Sequence, residues 1–298
     1  METANYTFIT ERLSGLVRHE AAPPELADPG QYLLLELAQD PSLLAALYAE
    51  RETSGWAAEP LFSGTSSQHL ASVGPHLVAL SVDSRQRAAI LDRLPKERLG
   101  IVLQPRDGVA WEALVDHCRQ HLWGIGADGR PTIIRWFDPH GLRALLTALT
   151  PAQRETLTQP FVSLTWHSGH GWYQWASSPG KSASSTERSP VQWDTEFFKR
   201  MAQEQLWDRA IDFAVAYRRY LPAPIEMAAK RLFEFLERAR TFGVTSQARQ
   251  ERWLRLYLHC GREFWHDPIA SQWLNDKSLP LDNALERLES HFFNGAKP

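Results

Sequence analysis

Two histidines have the clearest potential for catalytic chemistry. His167 and His170 stand three positions apart in the segment His167-Ser-Gly-His-Gly171, and two imidazoles at this spacing could share a metal ion. A catalytic zinc site needs a third protein ligand and one open position, and His117 or His121 would have to supply that ligand. This arrangement defines one functional alternative, a metal-dependent hydrolase or transferase. Histidines in a glycine turn more often only hydrogen-bond the backbone, so we expect no metal site and no cofactor.

The usual enzymatic signatures are absent or incomplete. Gly180-Lys-Ser182 is similar to the end of a phosphate-binding loop, but Trp175 stands where that loop requires its first glycine. The glycine-rich segment Gly124-Ile-Gly-Ala-Asp-Gly129 runs into a strand, whereas a dinucleotide-binding loop must open a helix. No Gly-x-Ser-x-Gly nucleophile elbow precedes a helix. We therefore predict that the chain is not an enzyme.

One arginine stands in an otherwise apolar run. Residues Thr132–Phe137 predict a buried strand, and alternation places Arg135 beside Ile133 and Phe137. An arginine is rarely buried without a partner, and Asp138 is the nearest candidate in the sequence. Asp138 could instead cap the following helix, with Pro139 at its first position. We favour an ion pair between Arg135 and Asp138 that ties strand to helix over a catalytic or ligand-binding role.

Strands and helices alternate in the first half of the chain. Apolar runs predict strands at 32–37, 73–80, 99–103 and 132–137, and helical periodicity predicts helices at 41–48, 81–94, 111–122 and 142–149. Phe161–Trp166 and Trp172–Ala176 are expected to form a hairpin. Strands separated by helices indicate a sheet with helices packed on it, parallel where the crossovers demand it. Residues 1–176 are therefore predicted to form an α/β lobe with a mixed, partly parallel sheet and flanking helices.

The composition changes after this lobe. Residues 177–192 are rich in Ser, Pro and Gly and have almost nothing to bury, which is typical of a flexible loop or linker. From Trp193 onward every strong signal is helical, and Pro222-Ala-Pro224 and Asp267-Pro268 separate the helices. Residues 193–298 are therefore predicted to form an all-α lobe.

Charge and cysteine content limit the partners and the compartment. The 298 residues carry a formal net charge of −3 and a sequence pI of about 6.4, which argues against nucleic acid or an anionic membrane as the main partner. The two cysteines, Cys118 and Cys260, lie far apart, which suits a reducing compartment. No secretory signal and no run of roughly 20 apolar residues is present. We expect a cytoplasmic protein.

Four of the 12 tryptophans lie close together in the sequence. They are Trp166, Trp172, Trp175 and Trp193. Tryptophan fills cores and also anchors interfaces, so this cluster is a candidate partner-binding surface, with a core role as the alternative. A third possibility is that the hairpin between Trp166 and Trp175 binds a small aromatic or sugar ligand.

The order of four short motifs resembles a known family. The motifs are Leu61-Phe-Ser-Gly-Thr65, Val73-Gly-Pro-His-Leu-Val78, Leu99-Gly-Ile-Val-Leu103 and Arg135-Trp-Phe-Asp-Pro139 followed by Leu142. This order is similar to that of DUF4123, a domain of adaptor chaperones in the bacterial type VI secretion system. His140 stands where the family usually has arginine. The segments Phe242–Ser246 and Gly261–Phe264, with Asp267-Pro268, resemble the helical region that follows this domain in family members.

The resemblance implies a function without turnover. An adaptor of this family holds an effector toxin in the cytoplasm and loads it onto the trimeric spike protein VgrG. The family supplies no catalytic residues, so the resemblance implies structural roles alone. Gly74 and Pro75 would shape the entrance of a strand, and Arg135 and Asp138, with Pro139 in the same motif, would tie the sheet edge to a helix.

Overall fold

The computed structural model describes residues 11–19, 21–23, 26, 30–54, 57–79, 85–177, 191–261 and 263–294. The chain divides into two units, with the boundary between Asp208 and Arg209. This boundary falls within a single helix, Thr195–Ala216. Residues 178–190, most of the predicted linker, lie outside the described residues, so the predicted domain limits at 176 and 193 stay predictions.

The strands of the described residues form two sheets. In chain order they are β1 (Leu16–His19), β2 (Tyr32–Glu36), β3 (Ala57–Pro60), β4 (Pro75–Ala79), β5 (Gly100–Pro105), β6 (Trp123–Ile125), β7 (Pro131–Ile133), β8 (Phe161–His167), β9 (Trp172–Ala176) and β10 (Val191–Gln192). Seven strands form one sheet in the order β1-β9-β8-β5-β2-β4-β3, and the other three form a small sheet in the order β10-β6-β7.

The helices begin in the first unit and make up most of the second. In chain order they are α1 (Pro41–Ser54), α2 (Arg85–Glu97), α3 (Trp111–Gln120), α4 (Leu142–Ala148), α5 (Pro151–Thr158), α6 (Thr195–Ala216), α7 (Ile225–Thr241), α8 (Gln247–Cys260), α9 (Pro268–Asn275) and α10 (Leu281–Asn294). The predicted layout of an α/β lobe followed by a helical lobe is confirmed. None of the helices in the described ranges has an apolar stretch long enough to cross a membrane.

The prediction of a partly parallel sheet is wrong. Every neighbouring pair of the seven-stranded sheet is antiparallel. The physical reason is that α2 joins β4 to β5, which run in the same direction, but β2 lies between them and pairs antiparallel with both. A parallel pairing does occur between β10 and β6, but it is two residues long and belongs to the small sheet.

Helices cover both faces of the large sheet. Leu33 and Val78 lie on one face, where they form a buried cluster with Leu43 of α1 and Ile90 of α2. Side chains alternate along a strand, so Tyr32 and Leu34 lie on the opposite face of the sheet. The row of paired residues that crosses the strands from Leu34 ends at Glu59, which therefore lies on the same face. Helix α3 covers this face. Its Trp111 ring lies 5.5 Å from the Tyr32 ring, and its Arg119 forms an ion pair with Glu59.

An aromatic cluster forms the core of the helical unit. The Trp253 ring is fully buried, and the rings of Phe242, Phe264 and Trp265 lie 5.3, 4.7 and 5.9 Å from it. Asp267-Pro268 follows α8, as predicted, and it also begins a helix that was not predicted, α9. The Asp267 carboxylate accepts hydrogen bonds from the first backbone N–H groups of α9 at 2.9 and 3.1 Å.

Candidate functional site

The antiparallel register gathers the sequence motifs at one end of the large sheet. Strand β2 ends there at Glu36, opposite Pro75 at the start of β4, and Leu35 pairs with Gly100 at the start of β5. The turn between β8 and β9 lies at the same end, because β8 pairs antiparallel with β5 and ends where β5 begins. We call this region, with the loop that carries Arg135, the motif end of the sheet.

Arg135 lies at the motif end but is not a buried strand residue. Its side chain is 53% exposed, and one guanidinium nitrogen lies 2.5 Å from the carboxylate of Glu36, whose side chain is 8% exposed. The predicted partner Asp138 also forms an ion pair with Arg135, but at 3.7 Å. The guanidinium further lies over the Phe137 ring, 5.5 Å from its centroid. Arg135 thus ties its loop mainly to the central strand β2.

The strand predicted over 132–137 is present only as β7, Pro131–Ile133, and it ends before Arg135 because its partner β6 is equally short. Strand β7 pairs with β6 over three residues, and the last cross-strand bond joins the N–H of Ile134 to the carbonyl of Leu122 at 2.8 Å. The chain then turns, with the N–H of Asp138 donating to the carbonyl of Arg135. Trp136 and Phe137 occupy the buried positions of this turn, and this leaves Arg135 at the surface.

Asp138 closes a turn and does not cap α4. Its carboxylate accepts a hydrogen bond from the N–H of His140 at 2.9 Å, and its carbonyl accepts bonds from Gly141 and Leu142 at 3.0 Å each. Helix α4 begins at Leu142 with Gly141 as its N-cap. The alternative with Asp138 as the cap and Pro139 as the first helical residue is therefore wrong, because an Asp-Pro turn precedes the helix.

Gly74 and Pro75 lie at the entrance of β4, as the resemblance implies. A Cβ on Gly74 would lie 2.3 Å from a ring carbon of Phe62 and 3.0 Å from the carbonyl oxygen of Leu70. The Gly74 N–H donates to that carbonyl at 2.8 Å, and Pro75 pairs with Glu36 across the sheet. A glycine is needed here because the Phe62 ring occupies the space of a side chain.

His167 has the surroundings of a neutral histidine that bonds the backbone. Its Nδ1 accepts a hydrogen bond from the N–H of Gly169 at 3.0 Å. Burial is the main cause that lowers the pKa of His167 to about 4, and the nearby His170, Arg98 and Arg18 act in the same direction. The turn alternative from the sequence therefore describes this residue well.

The suggested third metal ligands are engaged elsewhere. The Nε2 of His117 donates to the carbonyl of Leu157 at 2.8 Å, and the His121 ring lies 4.2 Å from the His117 ring. His170 has its Nε2 3.0 Å from the Tyr173 hydroxyl. Over the described ranges, no group of three or more His, Cys, Asp or Glu side chains is placed to hold a metal ion.

Two arginines hold the turn between β8 and β9. Arg18 donates to the carbonyl of His170 at 2.9 Å, and a Cβ on Gly171 would lie 2.7 Å from its Nε. Arg98 lies against Gly169 in the same way, and its Nη1 is 2.5 Å from Nδ1 of His140. The glycines let both guanidinium groups approach the backbone. His140, where the resembling family usually has arginine, thus contacts an arginine supplied by another part of the chain.

The four clustered tryptophans are core residues in the structure. Trp166, Trp172, Trp175 and Trp193 are all buried. Trp166 stacks on Tyr173 with ring centroids 5.8 Å apart. Their burial fits the core alternative, while partner or small-ligand binding by these rings stays a prediction. A partner would have to expose them before it could contact their faces.

Arg143 is a buried arginine for which the sequence motifs predicted no role. Its side chain is 4% exposed, and its Nη1 lies 3.0 Å from the carboxylate of Glu204, while its Nε pairs with Asp208. Arg12 also pairs with Glu204. Burial opposes the charge of Arg143, but Asp208 and Glu204 outweigh this effect and raise its pKa. The available signal was an arginine in the apolar run Leu142-Arg-Ala-Leu-Leu146.

These features define the first unit as an antiparallel sheet covered by helices, with its charged and glycine motifs at one end. Residues 31–156 match the family model described as "Domain of unknown function (DUF4123)". The resemblance of the motifs to DUF4123 is thus confirmed for this part of the chain. The matched region runs from β2 to α5 and so includes Gly74, Pro75 and Arg135. No curated protein and no solved structure matches the chain.

Proposed function

We propose that this protein is a cytoplasmic adaptor chaperone of a type VI secretion system. It binds an effector toxin and loads it onto the VgrG spike without catalysing a reaction. The observation that carries the proposal is the DUF4123 match over residues 31–156, because this domain is found in such adaptors.

The contacts at the motif end support a role that depends on shape. The Glu36–Arg135 pair ties a surface loop to the sheet, and Arg18 bonds the backbone of the turn at His170. Both contacts therefore hold loops in place at this end of the sheet. Contacts that hold loops to the sheet in this way favour a surface of defined shape, which lowers the cost of ordering on binding.

Co-purification tests the proposal. The chain is expressed with a genetically linked effector and with the C-terminal part of a VgrG protein, and the mixture is separated by size exclusion at micromolar concentration. We expect a complex that contains all three chains, with the adaptor required for the effector to co-elute with VgrG. If the chain elutes alone, or if effector and VgrG form the same complex without it, the proposal fails.

A further inference from the structure

The helical unit contains a pocket with an aromatic rim. The pocket has a volume of about 230 Å³ and lies between the segment that follows α6, helix α7 and helix α8. The residues that line it include Tyr220, Leu221, Arg231, Leu232, Tyr257 and Leu258. Leu232 is buried and forms part of an apolar floor.

Tyr220 is strongly exposed beside this apolar floor. It is 69% exposed, and the centroid of its ring lies 6.4 Å from that of Tyr217. Tyrosine is enriched at the centres of protein interfaces because it offers a large apolar surface with a polar end. Met227 on α7 is also large, apolar and 48% exposed. The surface around the pocket therefore has the composition of an interface core.

One basic residue lines the pocket, and two more precede Tyr220 in the sequence. The first is Arg231, and the other two are Arg218 and Arg219. Across the described part of the chain, none of these three arginines takes part in an ion pair. Residues 218–231 contain four Lys or Arg and one acidic residue, Glu226, which is paired with Lys230. A carboxylate next to the pocket would therefore find the guanidinium group of Arg231, which need not first leave another carboxylate.

The size of the pocket determines what can occupy it. Small-molecule sites usually measure roughly 300–1,000 Å³, and this pocket is smaller. It has room for one large side chain, which is the typical occupant of a hot-spot pocket at a protein interface. Arg231 in the lining adds a requirement for negative charge beside that side chain.

We propose that the Tyr220 pocket binds a segment of a partner protein that presents one large apolar side chain next to an aspartate or glutamate. Resting on the adaptor function proposed above, we assign this segment to the effector. A pocket for a single side chain gives a contact that can be released, which suits a cargo that must leave its chaperone.

Two substitutions test the pocket, and two serve as controls. Tyr220→Ala removes the exposed ring, and Arg231→Glu reverses the charge at the rim. Lys277→Glu makes the same charge change at another exposed position, and Ile269→Ala removes another exposed apolar side chain. Thermal melts of all four variants verify that they fold.

Affinity for the effector is measured by titration calorimetry with the full-length chain, and affinity for the C-terminal VgrG fragment is measured in parallel. We expect Tyr220→Ala and Arg231→Glu each to weaken effector binding about tenfold or more, as for hot-spot residues, and the controls to stay within about twofold. The Arg231→Glu loss should shrink at high salt, because salt screens the repulsion.

Three results would overturn the inference, and one separates it from the adaptor function. Unchanged effector binding by both pocket variants, an equal loss in the controls, or a loss confined to the VgrG fragment would each contradict the assignment. If the unsubstituted chain binds neither effector nor VgrG, the adaptor function itself fails. If effector binding does depend on the pocket, overlapping peptides of the effector identify the bound segment. The peptide that binds must contain a large apolar residue beside a carboxylate.

Discussion

The Glu36 carboxylate lies 2.5 Å from the Arg135 guanidinium, although the two residues are 99 positions apart in the chain. Glu36 is nearly buried at the end of the central strand β2, where its N–H also donates to the carbonyl of Leu99 at 2.7 Å. Arg135 belongs to the loop after the small sheet. The pair therefore fixes the loop of the Arg-Trp-Phe-Asp-Pro motif to the middle of the large sheet.

Arg135→Ala should lower the free energy of unfolding by about 1–2 kcal/mol. Removal of one partner from a buried ion pair costs about 3–5 kcal/mol, and an exposed pair contributes about 0–1 kcal/mol. This pair lies between these limits because Glu36 is nearly buried and Arg135 is half exposed. Urea unfolding measures the change. Arg130→Ala is the matched control, since Arg130 is exposed and lies 3.7 Å from Asp128, and an equal loss in both variants would contradict the prediction.

Arg143→Ala should destabilise the protein more, by about 3–5 kcal/mol, because it leaves the carboxylates of Glu204 and Asp208 without their buried partner. Arg12→Ala is the comparison. Its side chain is 35% exposed and it shares Glu204 with Arg143, so we expect a loss of about 1 kcal/mol. Unfolding in urea reports both values. If Arg143→Ala does not fold, Arg143→Lys, which keeps the positive charge, is measured in its place. A loss of unfolding free energy at position 143 that is no larger than the loss in Arg12→Ala would contradict the prediction.

Local patterns in the sequence predicted many of the strands and helices but not which strands pair with each other. The apolar runs at 32–37 and 99–103 correspond to β2 and β5, and the predicted hairpin is the antiparallel pair β8 and β9. Periodicity reports which faces a segment buries. It does not report that β2 lies between β4 and β5, because this order depends on contacts between segments that are distant in the chain.

The same distinction explains the errors at the site. Asp138 was the obvious partner of Arg135 because it is three residues away, whereas Glu36 is 99 residues away and no local signal connects the two. Strand β7 ended early because β6 is short, which is again a property of the partner segment. The apolar run around Arg143 marks it as a buried arginine, but no local signal connects it to its partners Glu204 and Asp208, which are on α6.

Asp40→Asn should lower stability at neutral pH and have less effect in acid. The Asp40 side chain accepts hydrogen bonds from Ser42 and pairs with Arg93, and these contacts lower its pKa from 3.8 to about 2. A carboxyl whose pKa is lower in the folded state stabilises the protein above its unfolded pKa, and it loses this contribution as the pH falls through the folded pKa. The difference in unfolding free energy between the original chain and Asp40→Asn should therefore be greatest above pH 3.8 and shrink towards pH 2.

Urea unfolding at a series of pH values measures this difference. Asp92→Asn is the control, because Asp92 pairs with Lys96 on the exposed side of α2, and such pairs contribute little. A difference for Asp40→Asn that is constant over the acid range would show that the carboxyl has no stabilising interaction specific to its charged form.

Gly74→Ala and Gly141→Ala should differ strongly in their effect, although both glycines flank family motifs. A Cβ at position 74 would lie 2.3 Å from the Phe62 ring, which is buried and cannot move away freely. Overpacking of this kind costs about 1–3 kcal/mol. At position 141 the nearest atoms are 3.8 and 3.9 Å from the added carbon, and the backbone φ of −96° suits any residue, so Gly141→Ala should change stability by less than about 0.5 kcal/mol.

Thermal and urea unfolding compare the two variants with the original chain. The double substitution Gly74→Ala with Phe62→Leu tests the cause, because a smaller side chain at position 62 makes room for the new methyl group. If steric conflict with Phe62 is the reason that glycine is required, Gly74→Ala should cost less in the Phe62→Leu background than in the original chain. An unchanged cost in that background would assign the requirement to the carbonyl of Leu70, which lies 3.0 Å from the same Cβ position, and the β4 entrance would then depend on the backbone of the preceding turn.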